Sequence, residues 1–298
     1  MSLNSSLKSG IKKLRSSQPF NRLATSGTRS VLSLVGFQSE FVIRHLHRID
    51  LVKSHLPNGK TLCLQSKGDD WVSNQVFWRG WQGYEPEMTG LFYALAESAT
   101  TVLDVGAHAG FYSLLAGLAN PQARVFAFEP LPRVFASLER NVKLNKLENI
   151  RCFSAAIGAT TDTQEFYFPD QEQPISSSLR SDVLIATFPV GAIQHVPVSV
   201  VPIDQFVAEQ GIDKVDLIKL DTERTEHEVL AGARELLQRD HPDIICEVWP
   251  DAGNQDQLED VLRPLGYRFF HLLPEGPQER PRIEGNEQAL NYMFTVAQ

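Results

Sequence analysis

The segment Thr101-Val102-Leu103-Asp104-Val105-Gly106-Ala107-His108-Ala109-Gly110 constrains this chain more than any other stretch. It runs straight into the apolar segment Phe111-Tyr112-Ser113-Leu114-Leu115-Ala116. That order reads as a buried strand, a tight turn and the start of a helix. Glycine at 106 and 110 has no Cβ to clash, so backbone can approach a ligand closely. Free amides at the helix start are expected to face that ligand. The guest this predicts is a nucleotide-like cofactor at the carboxyl end of a sheet.

The alternation of strand and helix continues downstream. Arg124 to Glu129 reads as a strand. Leu131 to Asn145 reads as a helix with Leu131, Val134, Phe135, Leu138 and Val142 on one face and Pro132 in its first turn. Ile150 to Ala155, Val215 to Leu220 and Asp243 to Val248 supply three more core strands. Thr225 to Gln238 reads as one helix, opened by a Thr225/Glu228 capping box. Extra strands are expected at Glu165 to Phe168 and Val196 to Val201, and two late strands at Tyr267 to Leu272 and Asn291 to Val296. The predicted fold is α/β: a Rossmann-like, mostly parallel sheet with an antiparallel late strand and helices on both faces.

Three regions are expected: a basic flexible tail over 1–40, a cap or lid over 41–98, and a cofactor-binding domain over 99–298. The net charge of −8 is uneven. Residues 1–48 hold eight Lys and Arg against one acid, Glu40, so the remainder carries −15. An acidic body argues against nucleic acid as a partner. The early cations Lys8, Lys12, Lys13, Arg15, Arg22 and Arg29 fit a flexible arm. Contact with a membrane surface or a partner, or a transit-like segment, are the alternatives. Phe41 to Leu51 fits a helix or an edge strand, and Lys60 to Gln65 a strand after the Pro57-Asn58-Gly59 turn. The rings of Trp71, Phe77, Trp78, Trp81 and Tyr84 form either a lid over a pocket or core packing. No secretory apolar region and no apolar run of about 18 residues is present, so no membrane span is expected. Cys63, Cys152 and Cys246 lie far apart, which fits reduced thiols in a cytoplasmic protein.

Asp104 ends the first strand of the domain, where an acid can hold a cationic amine directly or through water. Glu129 ends the next strand, where an acid can accept both hydroxyls of a ribose. Pro130 turns the chain away and leaves room for a base, and Ala155-Ala156-Ile157 offers small apolar flanks for an adenine. Two cofactors suit this pattern, a nicotinamide dinucleotide and S-adenosylmethionine. The third glycine of a pyrophosphate turn is missing, and Asp104 repels a pyrophosphate but suits a methionine ammonium. S-adenosylmethionine is therefore favoured. Beyond the fourth strand lies Lys219-Leu220-Asp221-Thr222-Glu223-Arg224-Thr225-Glu226-His227-Glu228. Asp221 and Glu223, with Glu247 at the end of the fifth strand, are the catalytic candidates that orient an acceptor hydroxyl or take its proton. Glu226 and Glu228 read as a solvated first helical turn, His227 as a weak base candidate, and His108 as a ring beside the cofactor. These acids could also hold a divalent metal, but no tight set of His, Asp and Glu ligands is visible, so no metal site is expected.

These residues resemble the FkbM family of class I methyltransferases. The likeness is carried by Val102 to Ser113, Val125 to Pro130, Leu217 to Glu223, Asn141 and Asn145, Ala155 to Gly158, Ser176 to Leu179, and Val229 to Leu237 running into Pro242 and Glu247-Val248. The resemblance implies S-adenosylmethionine held by the 104–110 loop with Glu129 on the ribose, and methyl transfer to a hydroxyl of a sugar, glycolipid or secondary metabolite. The expected cofactor contacts are Glu85, Asp104, Gly106, His108, Gly110, Phe111, Tyr112, Glu129, Pro130, Ala156 and Asp221, with Glu85 and Glu87 at the amino-acid end. The acceptor is a small molecule or glycan. One departure stands out: Arg224 occupies a position where the family usually has glycine. A non-catalytic binding or scaffold module is the alternative reading, and a nicotinamide-dependent oxidoreductase the third.

Overall fold

The tail expected over residues 1–40 is helical from Gln18. The computed structural model describes residues 17–34, 40–68, 70–174, 176–250 and 252–296, so the tail reading of residues 1–16 lies outside them. The chain divides into two compact units, Met1–Tyr84 and Glu85–Gln298.

In the first unit, α1 spans Gln18–Leu34 and α2 Glu40–His45. α1 forms where a tail was expected because its polar residues find fixed partners. Asn21 Nδ2 donates to His47 O at 2.9 Å, the Ile49 amide donates to Asn21 Oδ1 at 2.8 Å, and Arg48 Nη1 donates to Thr25 Oγ1 at 2.8 Å. A hairpin follows, β1 (Asp50–His55) paired antiparallel with β2 (Thr61–Ser66), its turn closed by Gly59 at φ +81°. α3 (Trp71–Arg79) is capped by Asp70, which accepts the Val72 amide at 3.0 Å. Phe77 is buried under the guanidinium groups of Arg29 and Arg48, and Trp78 Nε1 donates to Leu46 O at 3.1 Å. These two rings are packing elements of their own unit.

The second unit begins with α4 (Pro86–Ser98), β3 (Thr101–Val105), α5 (Phe111–Ala119), β4 (Arg124–Phe128), α6 (Pro132–Leu144) and β5 (Ile150–Phe153). Then come β6 (Ala156–Ile157), β7 (Asp162–Pro169), α7 (Ser181–Ile185), β8 (Ile193–Val201), α8 (Ile203–Gln210) and β9 (Leu217–Leu220). It ends with α9 (Glu226–Ala231), α10 (Arg234–Asp240), β10 (Asp243–Glu247), α11 (Ala252–Leu262), β11 (Tyr267–Leu273), β12 (Gly276–Arg280) and β13 (Asn291–Val296). The main sheet has the order β12-β11-β13-β10-β9-β3-β4-β5, and β6-β8-β7 form a separate small sheet. From β10 to β5 every pairing is parallel, whereas β13, β11 and β12 pair antiparallel. This is the expected Rossmann-like, mostly parallel architecture. Its antiparallel edge is three strands wide, because the mostly exposed β12 gave no hydrophobic signal.

Every residue of β3 and β9 is buried, so both faces of the sheet centre are covered. Alternation sorts the side chains. Leu103, Val105, Ile218, Leu220, Ile244 and Cys246 enter the main core with Phe206, Val229, Leu230 and Leu236. Asp104, Lys219 and Glu247 therefore point to the other face. Register sets Asp104 beside Lys219 and Glu247 beside Asn291, which makes a polar row across the sheet.

The single helix expected over Thr225 to Gln238 is two. A Cβ at Gly232 would stand 2.2 Å from Gly158 O, and this close approach coincides with the break between α9 and α10. Thr225 makes no capping box, since its hydroxyl donates to Thr222 O instead.

Candidate functional site

The 104–110 loop is tied to the end of β4. The Gly106 and Ala107 amides both donate to Phe128 O, at 3.1 and 2.8 Å, and the His108 amide donates to Glu129 Oε2 at 3.0 Å. These three loop amides are therefore taken up by protein. The glycines also have a different reason. Gly106 and Gly110 sit at φ +80° and +90°, and a Cβ on them would stand 1.8 Å from Asp221 O and 2.6 Å from Leu138 Cδ1. They allow the turn to close onto its own protein neighbours.

Glu129 receives the loop. Its Oε2 holds the His108 amide and its Oε1 accepts the Leu131 amide at 2.8 Å. Burial raises its pKa to about 7 even though both amides favour the charged form. Pro130 is buried beside it. Ala156 lies in the cluster of Leu131, Val134 and Phe166 rather than on the polar row, and Phe111 is a buried ring edge-on to Tyr112.

The polar row is crowded with acid. Asp104 is 1% exposed, accepts the Ser113 hydroxyl, and is shifted upward chiefly by burial. Lys219 is also 1% exposed. Its Nζ lies 3.2 Å from Asp221 Oδ2 and 5.1 Å from the centre of the Tyr112 ring. Burial alone disfavours its charge, but Asp221, Glu85, Asp104 and Glu247 outweigh that and hold its pKa above the ordinary lysine range. Glu85 accepts the Tyr112 hydroxyl at 2.7 Å and Asn291 Nδ2 at 3.2 Å, and the same Asn291 group reaches Glu87 at 3.0 Å. Burial raises Glu85 as well.

Asp221, Glu223 and Glu247 bring one carboxylate oxygen each within 4.8 Å of one another. This is a closer acidic set than the sequence revealed, because Asp221 and Glu223 stand on the loop after β9 and Glu247 at the end of β10. Burial first, then the neighbouring acids, push Glu223 and Glu247 well above the usual carboxylate range. Trp249 Nε1 donates to Glu247 Oε2 at 2.8 Å and fixes that carboxyl. The arrangement can hold a hydroxyl, take its proton, and face positive charge.

The loop carrying Asp221 and Glu223 is shaped by Glu226, which the sequence suggested was solvated. It is fully buried: its Oε1 accepts the Thr222 and Arg224 amides at 3.0 and 3.1 Å, and its Oε2 accepts Asn254 Nδ2. Burial of this brace lets Glu223 and Arg224 adopt φ +56° and +75°. The Arg224 guanidinium lies 5.2 Å over the Trp249 ring. His227 bonds Asn254 rather than the acidic set. Lys219, Asn291, Ser113 and Trp249 had no predicted role. Only Lys219 left a signal, as a charge inside the apolar run Leu217-Ile218-Lys219-Leu220.

A family profile described as "Methyltransferase FkbM domain" matches residues 104–269, more than half of the chain. The chain belongs to the FkbM methyltransferase family. Among its relatives, methyltransferase sdnD of Sordaria araneosa is 27% identical over 190 residues, covering 56% of this chain and 73% of that one. The 31-O-demethyl-FK506 methyltransferase FkbM of Streptomyces tacrolimicus is 25% identical over 243 residues, covering 73% and 90%. The 2-O-methyltransferase NoeI of Sinorhizobium fredii is 28% identical over 180 residues, covering 58% and 70%. A crystal structure of methyltransferase FkbM from Methylobacillus flagellatus superposes with a TM-score of 0.42 at 17% identity, covering 67% of this chain and 44% of that chain.

An FkbM methyltransferase uses S-adenosylmethionine, and the residues present fit it. Glu129 is a buried acid whose oxygens each hold one backbone amide and no cation, which leaves lone pairs for hydroxyl donors. Asp104, Glu85, Asp221, Glu223 and Glu247 gather around Lys219, with Arg224 also acting on Glu223, and this excess of acid suits a positively charged guest. The nicotinamide reading drops out with the family. Among the described residues, no helix is long and apolar enough to cross a membrane.

Proposed function

We propose that this chain is an O-methyltransferase that acts on a hydroxyl of a sugar, glycolipid or secondary metabolite. The observation that carries this reading is the set of Asp221, Glu223 and Glu247 at the carboxyl rim of the sheet, gathered within 4.8 Å beside the 104–110 loop. Bound there, S-adenosylmethionine would supply an electrophilic methyl group, with the neutral thioether as the leaving group. Glu129 holds the ribose hydroxyls through its free lone pairs. Asp104 and Glu85, with Tyr112 and Asn291 fixing the latter, face the ammonium end. Gly106, His108, Gly110, Phe111, Pro130 and Ala156 shape the cofactor's walls.

The acceptor hydroxyl is held by Asp221 and Glu223, and its proton passes to Glu247 as the oxygen reaches the methyl carbon. A carboxylate raised by burial and by like charge is a stronger base than one in water. Lys219 limits the negative charge of the set and keeps Asp221 in place. The relatives support the reading, because 2-O-methyltransferase NoeI is by its name an O-methyltransferase. The test is transfer of labelled methyl from S-adenosylmethionine to a panel of sugars, glycolipids and hydroxylated metabolites. Label recovered as a methyl ether supports the reading. A chain that binds S-adenosylmethionine and methylates nothing supports the scaffold alternative.

A further inference from the structure

We propose that α1 is a membrane-surface helix that lays an outward apolar stripe on an anionic phospholipid bilayer. A surface helix ordinarily turns its apolar side to the protein and its polar side to water. α1 does the reverse. At about 100° per residue, Phe20, Leu23, Gly27 and Val31 fall within an arc of about 80°. Phe20 is 43% exposed, Leu23 77% and Val31 61%. The side that packs inward is polar. Asn21 and Thr25 are buried there and bonded to His47, Ile49 and Arg48. Among the described residues six large apolar side chains are exposed, and four of them, with Phe41 at 71%, lie between positions 20 and 41.

Charge selects the occupant. The segment to residue 48 carries eight Lys and Arg against Glu40 alone, while the rest of the chain carries −15. Arg22 flanks the stripe and is largely exposed, with Asp50 3.4 Å away, and Arg44 is exposed on α2. Lys8, Lys12, Lys13 and Arg15 precede the helix in sequence. A second copy laid on this face would oppose two strongly basic segments, which argues against a dimer through it. A bilayer with acidic headgroups accepts both features, since its interface takes up the apolar side chains and its surface charge attracts the cations. An acidic protein body would be repelled by such a surface, so the attraction must reside in this segment.

The test is co-sedimentation of the full chain with sucrose-loaded vesicles, either of phosphatidylcholine alone or of phosphatidylcholine with phosphatidylglycerol. The chain is expected to pellet with the mixed vesicles only and to be released by salt. Phe20→Ser with Leu23→Ser should weaken pelleting by about tenfold or more. Replacing Lys8, Lys12 and Lys13 by Gln should weaken it on the order of a hundredfold, since each cation near the surface contributes about fivefold. That triple variant leaves α1 untouched and serves if the serine variant fails to fold. Failure to pellet with acidic vesicles at low salt, equal pelleting with neutral ones, or a stripe-dependent dimer in light scattering without vesicle binding would each overturn the proposal. Cofactor binding should be unchanged throughout, which separates this result from the catalytic reading.

Discussion

The two ends of the same parallel sheet treat carboxylates in opposite ways. At the amino end, Asp216 precedes β9 and is fully engaged. Its Oδ2 accepts the Thr100 and Thr101 amides at 2.8 and 3.1 Å, and its Oδ1 meets Lys214 at 2.8 Å. Burial alone would raise its pKa, but Lys214 and Thr100 bring it down to about 2. At the carboxyl end, Glu129, Glu223 and Glu247 are all raised, because burial there is not matched by donors or cations. One end joins strands. The other gathers buried acids whose desolvation their partners do not offset, at a cost in stability.

Amide substitutions should separate the two ends most sharply. Glu247→Gln should lower kcat on the order of a hundredfold to ten-thousandfold, as loss of a general base does. Its melting temperature should hold or rise, because a repelling charge is removed. A fall in melting temperature with activity intact would reverse the assignment. Next in size, Glu129→Ala should weaken S-adenosylmethionine by roughly ten- to a hundredfold, through loss of hydrogen bonds to a charged acceptor. Titration calorimetry reads this directly, and unchanged affinity would remove Glu129 from the cofactor. At the other end, Asp216→Ala leaves the Thr100 and Thr101 amides without their partner. It should cost about 2 kcal/mol in urea unfolding and leave cofactor affinity unaltered.

The pH response should also differ in sign. Glu129 holds its proton to about 7 in the fold, against an ordinary 4.5, so the folded chain binds more protons between those values. Stability without ligand should therefore fall as pH rises through that window. Asp216 acts oppositely. Its contribution is present above 3.8 and is lost as pH falls toward about 2. Urea titrations of Glu129→Gln and Asp216→Asn against the parent chain should flatten the first and second slopes respectively. The smallest effect is expected at Arg224, where relief of a positive φ in Arg224→Gly is offset by lost stacking on Trp249. The net change in stability should stay under about 1 kcal/mol.

The strand ends proposed to hold the cofactor were legible in sequence, because their signals are local. Asp104 with the Gly106 and Gly110 turn, and Glu129 at a strand end, sit within single strand-to-helix junctions. The acceptor side was harder. Glu226 looked solvated, since first-turn acids usually are, yet it folds back beneath its own loop. The tail over α1 looked flexible because its pattern lacks an inward apolar face. The helix instead anchors through Asn21 and Thr25.

The sequence by itself determined the α/β sheet and the strand ends proposed to carry chemistry, because apolar periodicity and glycine turns act over a few residues. Only the tertiary structure decided which charges meet. Asp104, Lys219, Glu247 and Asn291 come from four strands that are neighbours through register, not through sequence. The shifts of Glu129, Glu223 and Glu247 follow from that meeting, since burial and uncompensated charge are properties of the packed chain rather than of any one residue.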